Sequence, residues 1–96
     1  MVNQIDNAIF EFSIYLPHAT TVELAGDFTG WRTPLRMQRD HEGWWRVRTT
    51  VPDGDHEFFY YVNGTARMPD YAANGVRFGP DGRLVSLLSV DTQVAA

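Results

Sequence analysis

Three histidines and twelve carboxylates are the residues of this chain that could do acid–base or metal chemistry. His18, His41 and His56 lie far apart in the sequence, and no two have the spacing that brings metal ligands onto one helix face. The chain has no cysteine, no Gly-x-Ser-x-Gly turn and no phosphate-binding loop. Hydrolysis of a glycosidic bond needs two carboxylates that face each other across a cleft, and no motif marks such a pair. The sequence therefore predicts a chain that is not an enzyme and that holds no metal and no cofactor.

The outward-facing aromatic side chains are better candidates for a binding surface. Strand alternation turns Phe59 and Tyr61 away from the predicted core. Exposed apolar patches mark interaction sites on soluble proteins, but the segment over residues 69–83 could equally cover this pair. Trp44 also points outward, beside the core-facing Trp45, at a position where an aromatic side chain often covers its neighbour across the strand.

The elements that must position these residues are strands, because the dominant hydrophobic period is two and no segment shows a helical period. About seven strand-like runs are separated by turn signals, and they cover residues 10–16, 22–26, 35–37, 44–51, 58–62, 65–68 and 84–90. Asn63 and Gly64 form the strongest two-residue hairpin signal in the chain. The pattern predicts an all-β fold, an immunoglobulin-like sandwich of about seven strands. Residues 69–83 are predicted to form a long loop, a kind that often carries function.

Length and charge narrow the function classes. The 96 residues suffice for one domain, which we place at residues 8–90, between an N-terminal extension over 1–7 and a C-terminal tail over 91–96. The eight basic residues are all arginine and are scattered, and the net charge is −4, which argues against nucleic acid and against a membrane as partner. No apolar run approaches the ~20 residues of a membrane span, and residues 1–7 lack the pattern of a signal peptide. We expect a cytoplasmic protein.

A set of motifs follows one another in a familiar order along most of the chain. Residues 24–31 read Leu-Ala-Gly-Asp-Phe-Thr-Gly-Trp, and a Pro-Asp-Gly turn at 52–54 precedes the aromatic hairpin at 58–64. This order resembles the glycogen-binding module of the beta subunit of AMP-activated protein kinase. It also resembles the N-terminal early-set domains of isoamylases and glycogen branching enzymes, grouped as carbohydrate-binding module family 48. The family's turn, Gly-x-Phe-x-x-Trp, and its hairpin, aromatic-x-aromatic-x-Val-Asp/Asn-Gly, are both matched over about residues 8–90.

The resemblance implies a β-sandwich that holds α-1,4-linked glucan on one open face, with Trp31 at the family's first sugar-stacking tryptophan. Three other family contacts are replaced in this chain: a lysine by Phe59, a second tryptophan by Ala66, and an asparagine near the last strand by about Val85. Phe59 and Tyr61 are therefore predicted to act as substitute stacking surfaces. Arg67 is predicted to donate hydrogen bonds to sugar hydroxyls.

A single indole face is too small to hold a sugar by itself. Covering it removes roughly 80–100 Å² of apolar surface, worth about 2 kcal/mol at ~25 cal/mol/Å², whereas association costs at least ~4 kcal/mol in lost freedom of motion. Two functions stay open. The first is a non-catalytic module that binds α-1,4-glucan such as glycogen, starch or maltooligosaccharide. The second is an early-set module that has lost sugar binding and docks a protein partner or a second copy of itself through its outward aromatic residues.

Overall fold

Short strands joined by tight turns make up nearly all of the regular structure in the computed structural model, which describes residues 1–73 and 75–91. The strands, in chain order, are β1 (Val2–Asp6), β2 (Ile9–Tyr15), β3 (Val22–Gly26), β4 (Leu35–Arg36), β5 (Gln38–Arg39), β6 (Trp44–Thr50), β7 (Gly54–Val62), β8 (Ala66–Met68), β9 (Val76–Phe78) and β10 (Leu84–Val90). A 3₁₀ turn, Asp27–Thr29, is the only helical segment within those two described ranges. Aromatic and β-branched residues fill the middle of β2, β6 and β7, which is the composition that strands favour.

The strands form two antiparallel sheets. The first sheet has the order β1-β2-β6-β5, and the second has the order β4-β3-β7-β10-β9, with β8 also paired to β7. The chain passes from the second sheet to the first between β4 and β5, at Met37, whose backbone N–H donates to the carbonyl of Val22 at 2.9 Å. A run that the sequence predicts as one short strand over residues 35–37 therefore serves as a corner between the two sheets.

The core lies between the two sheets and follows the alternation of the strands. Phe12 of β2 meets Phe58 of β7 edge to face, with ring centroids 5.1 Å apart. The side chains that are buried in this cluster are Phe10, Phe12, Ala19, Val22, Leu24, Met37, Trp45, Val51, Phe58, Tyr60, Leu88 and Val90. Trp45 satisfies its indole N–H by donating to the carbonyl of Leu16 at 3.0 Å, which is how a buried tryptophan avoids an unpaired donor.

The all-β sandwich that the sequence predicts is confirmed, with ten strands among the described residues in place of about seven. The predicted N-terminal extension over residues 1–7 contains β1, which pairs with β2; its side chains are mostly exposed, so no hydrophobic alternation marks it. The predicted loop over residues 69–83 contains the exposed edge strand β9. Of the predicted tail over 91–96, residues 92–96 lie outside the described residues.

The described residues contain neither a membrane-spanning helix nor a metal-binding group of side chains. No helix there is both long enough and apolar enough to cross a membrane. Nor do residues 1–73 and 75–91 contain three His, Cys, Asp or Glu side chains grouped so that they could hold a metal ion.

Candidate functional site

The turn that follows β3 places Trp31 over the outer face of the second sheet. Gly30 and Trp31 both have left-handed backbones, with φ of 82° and 57°. This conformation is uncommon for a residue with a side chain, and such strain concentrates at functional positions. It is held by the Trp31 N–H, which donates to the Gly26 carbonyl at 3.1 Å, and by the Thr29 hydroxyl, which donates to the same carbonyl at 3.0 Å.

Gly26 is required at the start of this turn by the space around it. A Cβ added there would lie 2.8 Å from the ring of Phe28 and 3.1 Å from the Glu57 carbonyl oxygen. The backbone of Gly26 is extended, so crowding rather than backbone conformation excludes a side chain. The Gly-x-Phe part of the sequence motif is therefore a packing unit that brings the turn against β7.

Asp27 ties the same turn to the beginning of β7. Its carboxylate lies 2.7 Å from Nδ1 of His56 and accepts the backbone N–H of Glu57 at 3.2 Å. Nε2 of His56 lies 2.7 Å from the carbonyl oxygen of Pro52. Asp27, the first residue of the 3₁₀ turn, thus fixes the turn that carries Trp31 to β7.

Phe59 forms the floor beneath Trp31. The two rings are stacked, with centroids 5.5 Å apart and planes at 23°. The guanidinium of Arg67 lies 3.9 Å from the Phe59 centroid, and Tyr61 meets Phe59 edge to face at 4.9 Å. Phe59 belongs to a small outer cluster with Ala25, separate from the main core, as its predicted outward direction requires.

Phe59 is nevertheless only 5% exposed, because the Trp31 ring and the Arg67 guanidinium both lie against its ring. Phe59 therefore presents no free stacking face, and its role as a sugar contact stays a prediction. Tyr61 is half-buried and acts as a lateral support for Phe59. The exposed face in this region belongs to Trp31, which is 38% exposed.

An open cleft of about 370 Å³ lies between the Trp31 turn and the chain around Asp81. The residues that line it are Trp31, Glu57, Phe59, Arg67, Pro80, Asp81 and Val85. Apolar walls with a few convergent polar groups, in a cleft of roughly 300–1,000 Å³, are the usual form of a small-ligand site. The cleft is thus lined by three of the four predicted site residues, Trp31, Phe59 and Arg67. The fourth, Tyr61, packs against Phe59 and does not line the cleft.

The charged residues at the cleft are held in pairs of opposite charge. Arg67 donates to the carboxylate of Asp81, and Arg77 donates to that of Glu57. The pKa of Asp81 is held below its ordinary value, chiefly by the backbone N–H of Arg83 and then by Arg67. The rim therefore offers carboxylate acceptors beside a guanidinium donor, the pairing that hydroxyl groups of a ligand require.

Glu57, Pro80 and Asp81 were not among the predicted site residues. Glu57 shares the outward face of β7 with Phe59, so the alternation contained the signal for it. Asp81 lies in the predicted loop over residues 69–83, whose length indicated function without indicating which residue contacts a ligand.

Trp44 points outward, as predicted, on the first sheet. It lies against Tyr15 of the neighbouring strand with ring centroids 5.4 Å apart, and Arg46 lies 5.6 Å above its ring. Cross-strand cover of this kind explains Trp44 without a ligand. It lines no part of the cleft beside Trp31.

The chain matches a known protein family over a range that includes every residue lining this cleft. A family described as the glycogen recognition site of AMP-activated protein kinase matches residues 11–95. The chain belongs to this family. The match includes all four predicted site residues and the motif from Gly26 to Trp31.

Two similar proteins extend the comparison. A segment of 47 residues is 36% identical to a 1,4-alpha-glucan branching enzyme from Lactobacillus acidophilus, and it covers 49% of this chain and 7% of that enzyme. A crystal structure of a protein assigned as an alpha-amylase from Salmonella typhimurium superposes with a TM-score of 0.72 at 18% identity. That superposition covers 99% of this chain and 15% of the larger one, and at this identity it shows the shared fold alone.

Proposed function

We propose that this domain is a non-catalytic module that binds α-1,4-linked glucan in the cleft beside Trp31. The observation that carries the proposal is the combination of a 38% exposed indole face with a rim of Glu57, Arg67 and Asp81 around the same cleft. A glucose ring has an apolar face of C–H bonds and a perimeter of hydroxyls. The apolar face matches the indole, and the hydroxyls match the alternating donors and acceptors of the rim.

The charges of the rim favour binding over catalysis. Glycoside hydrolysis needs one carboxyl group that stays protonated to act as an acid, which calls for a raised pKa. The pKa of Asp81 is instead lowered by its hydrogen bonds, and Glu57 is paired with Arg77. Asp81 is thus suited to accept hydrogen bonds from hydroxyl groups rather than to donate a proton, and Glu57 already accepts hydrogen bonds from Arg77.

The alternative function, a module that docks a protein partner or a second copy of itself, rested on Phe59 and Tyr61 as an exposed aromatic pair. Phe59 is covered by Trp31 and Arg67, so the pair does not form a free apolar surface. The three family contacts replaced at Phe59, Ala66 and about Val85 still favour that alternative, and glycogen binding distinguishes the two functions. A cytoplasmic location stays a prediction.

Affinity electrophoresis tests the proposal. Native gels cast with and without glycogen should retard the wild-type protein, and Trp31→Ala should abolish the retardation because it removes the exposed ring face. Phe78→Ala is the matched control: it also removes an exposed ring, but from the edge strand Val76–Phe78, and should leave the retardation unchanged. Wild-type protein that is not retarded at high glycogen concentration, or equal loss in both variants, would overturn the assignment.

A further inference from the structure

The cleft beside Trp31 presents one free aromatic face to a ligand. Phe59 stacks beneath that indole and Tyr61 supports Phe59 from the side, so neither supplies a second face. One covered indole does not offset the freedom that a ligand loses on binding. A glucan that binds here therefore needs another apolar contact beyond the cleft.

A second cleft adjoins the one beside Trp31. It has a volume of about 460 Å³ and is lined by Arg67, Pro69, Tyr71, Arg83 and Leu84. Arg67 lines both clefts, so the two are neighbours. Tyr71 is 72% exposed, which makes it one of the two most exposed large hydrophobic residues in the described chain.

The backbone on each side of Tyr71 is fixed. Asp70 is 4% exposed, and its carboxylate accepts the Tyr60 hydroxyl at 2.9 Å and the Ala72 N–H at 2.9 Å. The backbone of Asp70 exchanges two hydrogen bonds with the hydroxyl of Ser86, which is fully buried. Anchors of this kind hold an exposed ring in place before the ligand arrives, which lowers the cost of ordering it.

We propose that Tyr71 is the second sugar-stacking platform, and that the ligand is a linear α-glucan long enough to run from Trp31 across Arg67 to Tyr71. The proposal rests on the function assigned to the Trp31 cleft. Arg67 lies between the two platforms and Arg83 lines the second cleft, so both place hydrogen-bond donors along the path of the chain. Tyr71 thereby replaces the stacking contact that is lost at Ala66, from a position five residues later in the chain.

The chain offers a matched control for Tyr71. Phe78 is also 72% exposed, and it lies on the edge strand β9. It lines neither the Trp31 cleft nor the Tyr71 cleft. Loss of either ring removes a similar exposed surface, so a difference between the two variants reports on the path of the ligand rather than on general surface hydrophobicity.

The test is an NMR titration of the whole chain with maltotriose and with maltoheptaose, which yields dissociation constants even for weak binding. Wild-type protein should bind maltoheptaose at least about tenfold more tightly, since only the longer sugar reaches Tyr71. Tyr71→Ala should remove most of that gain and change the affinity for maltotriose less than twofold. Tyr71→Trp should preserve the gain, and Phe78→Ala should leave both affinities within twofold of wild type.

The outcomes separate this inference from the function on which it rests. Tyr71→Ala that retains the gain for maltoheptaose, or that weakens both sugars equally, would overturn Tyr71 as a second platform while Trp31 still binds. Wild-type protein that binds neither sugar, or Trp31→Ala that binds both as tightly as wild type, would overturn the glucan-binding function itself.

Discussion

The outer faces of the two sheets carry opposite kinds of side chain. On the second sheet, Ala25 and Phe59 are buried beneath Trp31 and Arg67, and a cleft opens beside them. On the first sheet, Glu11 and Arg48 lie opposite each other on β2 and β6 and form an ion pair in solvent. Both faces point away from the core, but Phe59 on the second sheet is buried whereas Arg48 on the first is exposed.

The difference shows that an outward strand position is not the same as an exposed one. A turn with a left-handed tryptophan and a long arginine side chain build a second, smaller apolar layer on the second sheet. The space between those two covering groups is the cleft. On the first sheet, Trp44 and Tyr15 cover each other and share a pocket with the loop residues around Tyr71.

Truncation of Phe59 should have the largest effect on stability, because it removes the floor of the covered face. We expect Phe59→Ala to lower the free energy of unfolding by about 3 kcal/mol, the value for a buried phenylalanine whose surroundings collapse only in part. Urea denaturation measures it. A loss below about 1 kcal/mol would mean that Phe59 behaves as an exposed residue and that the two faces do not differ as described.

A side chain at Gly26 should disturb the turn that covers this face. Gly26→Ala places a methyl group against the Phe28 ring and the Glu57 carbonyl, so we expect a loss of about 1–3 kcal/mol in the free energy of unfolding. Because the Trp31 N–H donates to the Gly26 carbonyl, glycogen retention should weaken as well. An unchanged urea midpoint and unchanged retention would contradict this account of the turn.

The buried hydroxyl of Tyr60 anchors the loop beside the cleft through Asp70. Tyr60→Phe should cost about 1 kcal/mol near neutral pH, because it removes one hydrogen bond from a buried carboxylate. Burial, and then the charge and hydrogen bond of Asp70, raise the pKa of Tyr60 well above its ordinary value of 10.0.

That raised pKa predicts the direction of a pH effect. Above pH ~10 the unfolded chain releases the Tyr60 proton while the folded chain keeps it, so the contribution of Tyr60 to stability falls as pH rises. The advantage of wild type over Tyr60→Phe in urea denaturation should shrink by about 1 kcal/mol between pH 10 and pH 11. An advantage that stays constant across this interval would show that Tyr60 is not held in its protonated form.

The smallest effect is expected on the first sheet. Arg48→Ala removes one partner of the solvent-exposed pair with Glu11, and such pairs contribute about 0.2–1 kcal/mol. We expect a change within about 0.5 kcal/mol in the free energy of unfolding and no change in glycogen retention. A loss as large as that of Phe59→Ala would erase the contrast between the two faces.

The sequence predicted the parts of the fold in which alternation is strong. Phe10 and Phe12 on β2, and Phe58 and Tyr60 on β7, are buried as their period of two requires. Strand β1 escaped prediction because both of its faces are mostly solvated, which leaves no alternation to read. Met37 marks a corner between sheets, and a three-residue run carries no information about which sheet each end joins.

The sequence predicted which side chains of the site point outward, but not which of them cover the others. Alternation placed Phe59 on the outward face, the family resemblance added Trp31 and Arg67, and the structure gathers all three around one cleft. Periodicity does not say which outward residue covers another, since that depends on the left-handed backbone at Trp31 and on the reach of the Arg67 side chain. Phe59 was therefore predicted as a platform when it is a floor, and the exposed Tyr71 was not singled out.

The most direct test of the account is to ask which indole contacts a glucan. The chain has three tryptophans, so a ¹H–¹⁵N spectrum gives three indole N–H signals, which single Trp→Phe variants assign to Trp31, Trp44 and Trp45. Titration with maltoheptaose should shift the Trp31 signal most strongly, shift the Trp44 signal less, and leave the signal of the buried Trp45 in place. Shifts confined to Trp44, or no shift at saturating maltoheptaose, would contradict a glucan site on the covered face of the second sheet.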